Sequence, residues 1–200
     1  AEPGGRLTET WPLRLSDTPV VPNGPGERGE VRYGEGVFIG YRWYDALERE
    51  VAFPFGHGLG YTEIVVTDAT AEVIDAEAGV VRVRVVARNL GRRPGRTVVQ
   101  LYVGEDEPLL PRPPRELRGF AGLDLEPGAS AEATIELDGR AFAFFDVVSQ
   151  HWQRRPGTFT ISVGTSSREL PVSCRIRLPA DPSAPPLIGE DELAQQLQAR

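Results

Sequence analysis

The chain has 200 residues, 40% of them hydrophobic, and a formal net charge of −7 from 29 acidic and 22 basic side chains. That is enough apolar material for one globular domain, alone or with an appendage. The charges are spread without the basic stripe that follows a phosphate backbone, so nucleic acid is not an expected partner.

No apolar run approaches the roughly 18 residues of a membrane span, so no membrane partner is expected. A single cysteine, Cys174, excludes an intrachain disulfide. All 22 basic residues are arginine, a bias of base composition of the bacterial type rather than of any site. Methionine is absent even from position 1, which points to a fragment or a processed chain. The start at Ala1-Glu-Pro-Gly-Gly5 is not the basic-then-apolar pattern of a signal peptide. Neither Asn23 nor Asn89 opens a glycosylation sequon, so the compartment, cytoplasmic or secreted, stays open.

Residues 1–60 read as an extended segment. From Ala1 to Arg32 the chain is rich in Pro, Gly and acidic residues, with turn signals at 22–26 and no helical period, and Trp11 and Leu13 are its candidate anchors. Aromatics then crowd together at Tyr33, Phe38, Tyr41, Trp43 and Tyr44, a patch that needs a partner to bury it. The stretch Phe53-Pro-Phe-Gly-His-Gly-Leu-Gly-Tyr61 closes the leader. Its alternate glycines permit a tight path, and its aromatics can pin that path down.

Residues 61–178 have a period of two. Val81, Val83, Val85 and Ala87 alternate with Arg82, Arg84 and Arg88, as in a half-buried antiparallel strand. The pattern returns at Val99–Val103, Ala131–Leu137, Phe159–Val163 and Leu170–Leu178, with weaker strands expected over 64–73, 115–125 and 144–152. Turn signals at Asn89-Leu-Gly91, Pro127-Gly128, Asp138-Gly139 and Pro156-Gly157 separate them. The expectation is an all-β fold, an antiparallel β-sandwich of the fibronectin type III or immunoglobulin kind, with a closed barrel as the alternative. Residues 179–200 read as a Pro-rich linker and a short C-terminal helix over Gly189–Arg200.

Chemistry-bearing residues are sparse. His57, His151 and Cys174 have no ligand spacing, so neither a metal nor a cofactor is expected. Gly56-His-Gly-Leu-Gly60 lacks the preceding strand and following helix of a phosphate loop, and no serine sits on a nucleophile turn. His57 reads as a ring hydrogen-bonded to backbone, and Arg115, Glu116 and Arg118 as a solvated strand face. Glu35 and Asp45, amid aromatics, are the carboxylates best placed for glycosidase-type acid and base work; the structural alternative is that they fix turns or pair with Arg32 and Arg42.

Tyr33-Gly-Glu-Gly-Val-Phe-Ile-Gly-Tyr-Arg-Trp-Tyr-Asp45, followed by Phe53-Pro-Phe-Gly-His-Gly-Leu-Gly-Tyr-Thr62, resembles the segment of glycoside hydrolase family 3 enzymes, of β-glucosidase and β-xylosidase type, that joins an α/β sandwich domain to a C-terminal fibronectin type III-like domain. Val99-Gln-Leu-Tyr-Val103, Arg112-Pro-Pro-Arg-Glu-Leu-Arg-Gly-Phe120, Leu125-Glu-Pro-Gly128, Trp152, Pro156-Gly-Thr-Phe159 and Val163-Gly-Thr-Ser-Ser167 are similar to that domain in order. Gly5-Arg-Leu-Thr-Glu-Thr-Trp-Pro12 is similar to the exit from the α/β domain. Gly60 and Arg115 depart from the usual Ser and Lys.

The resemblance implies a nucleophile and an acid/base residue on upstream barrel and α/β sandwich domains, so no catalytic residue carries over to this chain. It implies an accessory C-terminal region of a β-glucosidase-like enzyme that stabilises the catalytic domains. Those upstream domains would be its partners, and it would reach carbohydrate only through the whole enzyme. Arg42, Trp43, Phe53, Phe55, Gly56, His57, Gly58 and Tyr61 would form the interdomain joint, with Tyr33 and Glu35 as candidates for the pocket rim. The alternative is a free-standing carbohydrate-binding or adhesion module.

Overall fold

The computed structural model describes residues 3–21, 23, 24 and 26–185, so the helix expected over Gly189–Arg200 lies outside the described residues. In chain order the elements are β1 (Trp11–Pro12), α1 (Tyr41–Ala46), β2 (Val51–Phe53), β3 (Ile64–Asp75), β4 (Val80–Asn89), β5 (Gly95–Glu105), β6 (Glu116–Leu125), β7 (Ser130–Leu137), β8 (Phe144–Asp146), β9 (His151–Gln153), β10 (Gly157–Gly164) and β11 (Val172–Leu178). Two antiparallel sheets, β3-β4-β7 and β11-β10-β5-β6, form a sandwich, and β8-β9 is a small hairpin beside it. The fold is all-β.

Alternation dictates the core. Val81, Val83, Val85 and Ala87 of β4 are fully buried against Val99 and Leu101 of β5 and Ile161 and Val163 of β10. Phe142, from a 3-10 turn, meets Phe159 edge-on at 5.2 Å. The outward arginines of β4 pair across the sheet, Arg84 with Glu132 at 3.1 Å and Arg82 with Glu136 at 3.4 Å. Such exposed pairs contribute little stability. Cys174 is half-buried against the core, and burial pushes its thiol up.

Two features depart from the pattern. Strand β5 is buried on both faces: Gln100 and Tyr102, which point away from the sandwich core, are only 3% and 0% exposed. The leader covers them. Nor is the leader wholly irregular, because β1 pairs with β2 and the six-residue α1 interrupts the aromatic stretch. A helix of one and a half turns has no stability of its own in water. Tertiary contacts hold it, which is why no helical period announces it.

Candidate interdomain joint

Three sets of contacts hold the leader together and fasten it to the outer face of the four-stranded sheet. The first is backbone. Leu7 donates to the His57 carbonyl at 2.8 Å and accepts from Gly56 at 2.8 Å, and Ser167 donates to the Phe55 carbonyl at 2.8 Å. Arg6 donates to the Gly58 carbonyl at 3.1 Å and to Thr97 Oγ1 at 2.8 Å. Gly56 is left-handed, with φ +84, and a Cβ there would sit 2.6 Å from Gln100 Nε2, so only glycine lets the chain pass this close. Gly58 needs its lack of side chain for another reason: a Cβ would lie 2.6 Å from the Gly5 carbonyl.

The second set is aromatic and polar. Tyr41, on α1, packs on Phe55 at 5.0 Å and edge-on against Tyr102 at 5.8 Å, and its hydroxyl accepts from the Leu117 amide at 2.7 Å. Beneath it Tyr102 donates to Gln100 Oε1 at 2.6 Å, and Gln100 Nε2 donates to the Thr165 carbonyl at 2.6 Å. Burial holds the Tyr102 phenol well above its ordinary value, so it serves as a fixed donor.

The third set is ionic. Arg168, in the β10–β11 turn, donates to Asp45 Oδ1 at 3.0 Å, to the Tyr44 carbonyl at 3.3 Å and to the Arg49 carbonyl at 2.6 Å, closing the C-terminal end of α1. Cations are favoured at that end of a helix. Asp45 is buried, with Arg115 at 3.8 Å from Oδ2. Burial raises its carboxyl, opposed by Arg115 and Arg168. Arg42 pairs with Glu116 at 3.2 Å, and Glu116 also binds Arg112 and Arg118 at 3.3 and 2.8 Å.

Several expectations change accordingly. Glu116 is 9% exposed at the centre of an ion cluster, so Arg115, Glu116 and Arg118 are not a solvated face; the leader arrives over them. Asp45 pairs with Arg115 and Arg168 rather than Arg42, because the turn of α1 aims its carboxylate at the β10–β11 loop. The His57 ring packs on Phe53 at 5.0 Å, and among the described residues its backbone, not its ring, makes the hydrogen bonds. Trp43 donates to the Asp17 carbonyl at 3.3 Å with Arg49 over its ring.

The aromatic patch splits in two. Tyr41 and Tyr44 are covered by this chain, while Tyr33 is 89% exposed, with Val37 and Ile39 beside it in the same loop. Glu35 is half-buried in that loop. Phe53, Leu59 and Tyr61 face outward, and Trp11 meets Phe53 edge-on at 6.0 Å. Among the described residues no three His, Cys, Asp or Glu side chains converge as metal ligands. Gln100, Tyr102, Arg168 and Arg6 were not singled out by sequence reasoning. The nearly unbroken apolar run Val98-Val-Gln-Leu-Tyr-Val103 was the available signal that β5 is covered on both sides.

Residues 97–167 match the family described as the fibronectin type III-like domain. The thermostable beta-glucosidase B of Acetivibrio thermocellus is 40% identical over 177 residues, 88% of this chain and 23% of that protein. A crystal structure of the Bifidobacterium adolescentis GH3 beta-glucosidase superimposes with a TM-score of 0.88 at 36% identity, over 97% of this chain and 29% of that one.

The chain matches a fibronectin type III-like portion of family 3 glycoside hydrolases. An exo-alpha-(1->6)-L-arabinopyranosidase of Bifidobacterium breve is also similar, 38% identical over 92% of this chain and 24% of its own length. The chain thus spans about a quarter of the length of these curated relatives. The match extends well beyond the sandwich, so leader and sandwich recur together in the family.

Proposed function

We propose that the chain is the accessory C-terminal region of a β-glucosidase-like glycoside hydrolase, and that it stabilises the catalytic domains without supplying a catalytic group. The observation that carries this reading is the two-sided leader. Its inner side is fastened to the sandwich by partly buried hydrogen bonds and ion pairs, while its outer side presents Trp11, Phe53, Leu59 and Tyr33 to solvent. Exposed apolar clusters on an otherwise well-satisfied surface mark contact sites. An upstream barrel and α/β sandwich domain are the partners that fit, with Tyr33 and Glu35 nearest to a pocket rim.

Retaining glycoside hydrolysis needs two carboxyl groups about 5 Å apart around a sugar. Asp45 is unsuited to that task, since it is buried and engaged by two arginines. Titrating separately produced upstream domains with this chain tests the reading. Association accompanied by a rise in their thermal stability is expected; no association, or aryl-glycoside turnover by this chain alone that is lost in Glu35→Gln, would overturn it.

A further inference from the structure

The two faces of the β8–β9 hairpin are used differently. Asp146 and Gln153 are buried, and Phe144 lies under the Arg112 guanidinium at 5.6 Å. Phe145 and Trp152, directly opposite in the register, share the other face, where they meet edge-on at 5.6 Å and stay 42% and 37% exposed. The turn between the strands exposes two more apolar side chains, Val147 and Val148. That turn is tied down: Asp146 accepts from the Val148 and Ser149 amides at 3.3 and 3.0 Å, and Gln150 Nε2 donates to the Val147 carbonyl at 2.7 Å. Large apolar side chains clustered and held outward in this way mark a contact site rather than scattered surface hydrophobics.

The chain itself returns to this hairpin. After β11 the Asp181 amide donates to the Arg154 carbonyl at 2.9 Å, and Asp181 Oδ1 accepts from the Ser183 amide and hydroxyl at 2.9 and 2.7 Å. The Pro185 carbonyl then accepts from Gln153 Nε2 at 2.8 Å, which brings the chain to the neighbour of Trp152 on β9. Residues 186–200 continue from that point, and at about 3.3–3.6 Å per extended residue they have ample length to cross a short hairpin. Their sequence suits the surface they start beside. Leu187, Ile188, Leu193 and Leu197 are apolar, and Glu190, Asp191 and Glu192 form an acidic run. The hairpin answers the acid with Arg140, whose guanidinium lies 3.6 Å from the Trp152 ring centroid and, among the described residues, has no carboxylate within ion-pair distance. Of the carboxylates lining the cleft beside Arg140, Glu136 pairs with Arg82 and Asp138 accepts from the Arg140 amide.

We propose that residues 186–200 bind back across the outer face of the β8–β9 hairpin, their leucines and Ile188 against Phe145, Val147, Val148 and Trp152, and their acidic run against Arg140. The contact is intramolecular, so the tether supplies a high effective concentration and a modest apolar surface suffices. The hairpin is then clasped from both sides, by the sandwich within and by residues 186–200 without. The inference is independent of the accessory reading.

Amide hydrogen exchange of residues 144–153, normalised to the Val81–Ala87 amides of β4, tests this. The 200-residue chain is compared with a chain stopped after Pro185, which keeps the Gln153–Pro185 hydrogen bond, and with Leu193→Asp combined with Leu197→Asp. Stopping the chain should speed hairpin exchange about tenfold, as expected when a covering segment no longer has to open first. The paired Asp substitutions should reproduce most of that rise, and Glu190→Gln with Asp191→Asn and Glu192→Gln should give a smaller one. Equal hairpin exchange in the 200-residue chain and the stopped chain overturns the inference. Protection that instead grows with chain concentration, and does so equally in the stopped chain, also overturns it and gives the face to a second copy. A stopped chain that exchanges fast while the paired Asp variant keeps the parental rate overturns the assignment to these leucines.

Discussion

Replacing Gly56 by Ala is the most exacting single perturbation of the joint. The residue has φ +84, where an L side chain costs about 1–2 kcal/mol. The new Cβ would also sit 2.6 Å from Gln100 Nε2, so the amide must move. Gln100 bridges the Tyr102 hydroxyl and the Thr165 carbonyl, both at 2.6 Å, in a site that is 3% exposed. Leaving one buried polar partner unpaired costs about 1–3 kcal/mol. Together these give a loss of about 2–5 kcal/mol, which for a chain of this size lowers the melting midpoint by roughly 5–15 °C. Thermal and urea unfolding of the 200-residue chain measure it. In a Gln100→Ala background the clash disappears while the backbone cost remains, so the second substitution should cost only about 1–2 kcal/mol. A loss below about 0.5 kcal/mol in the single variant, or strict additivity in the double, would refute the close-approach argument.

Three further outcomes are expected. Arg168→Ala removes the main partner of buried Asp45 and two carbonyl contacts on α1; a cost of about 2–3 kcal/mol, discounted because Arg168 is partly exposed, should appear as faster proteolysis within Tyr41–Glu50. Equal digestion of variant and parent would contradict it. Arg154 is buried and, among the described residues, has no carboxylate within ion-pair distance; it donates to the carbonyls of Pro179, Ala76 and Glu77, so Arg154→Met should destabilise by about 2–4 kcal/mol, with a smaller effect denying its role as a pin between the β3–β4 turn and the end of β11. Asp146 is held below its ordinary carboxylate value by Ser149 and by the Ser149 and Val148 amides. Its folded state binds the proton more weakly than the unfolded chain. The stability it contributes is complete above the unfolded value near pH 4 and is lost as pH falls through the lower folded value. Asp146→Asn should flatten that part of the acid unfolding curve; an unchanged curve would contradict the assignment.

The sandwich was legible because each core strand carries its own alternation; Val81, Val83, Val85 and Ala87 name their burial without help from the rest of the chain. The joint was legible only as a glycine and aromatic composition. Its energetics come from pairs far apart in sequence, Arg168 with Asp45, Arg42 with Glu116, and Gly56 with Gln100, and no local period encodes such a pair. Helix α1 is the clearest case. Tyr41–Ala46 is too short to signal a helix, and its fold depends on the Tyr41 hydroxyl meeting the Leu117 amide and on Arg168 capping the far end. For the same reason Glu116 read as solvated, since nothing local tells that a segment from 70 residues earlier will cover it.

The central claim is that this region stabilises catalytic domains without joining in the chemistry. Deleting it from the full-length polypeptide, and following both aryl-β-glucoside turnover and the thermal midpoint of what remains, tests that claim most directly. The account predicts a clear fall in midpoint, with turnover restored at least in part when the 200-residue chain is added back. An undiminished midpoint and undiminished turnover after the deletion would contradict it.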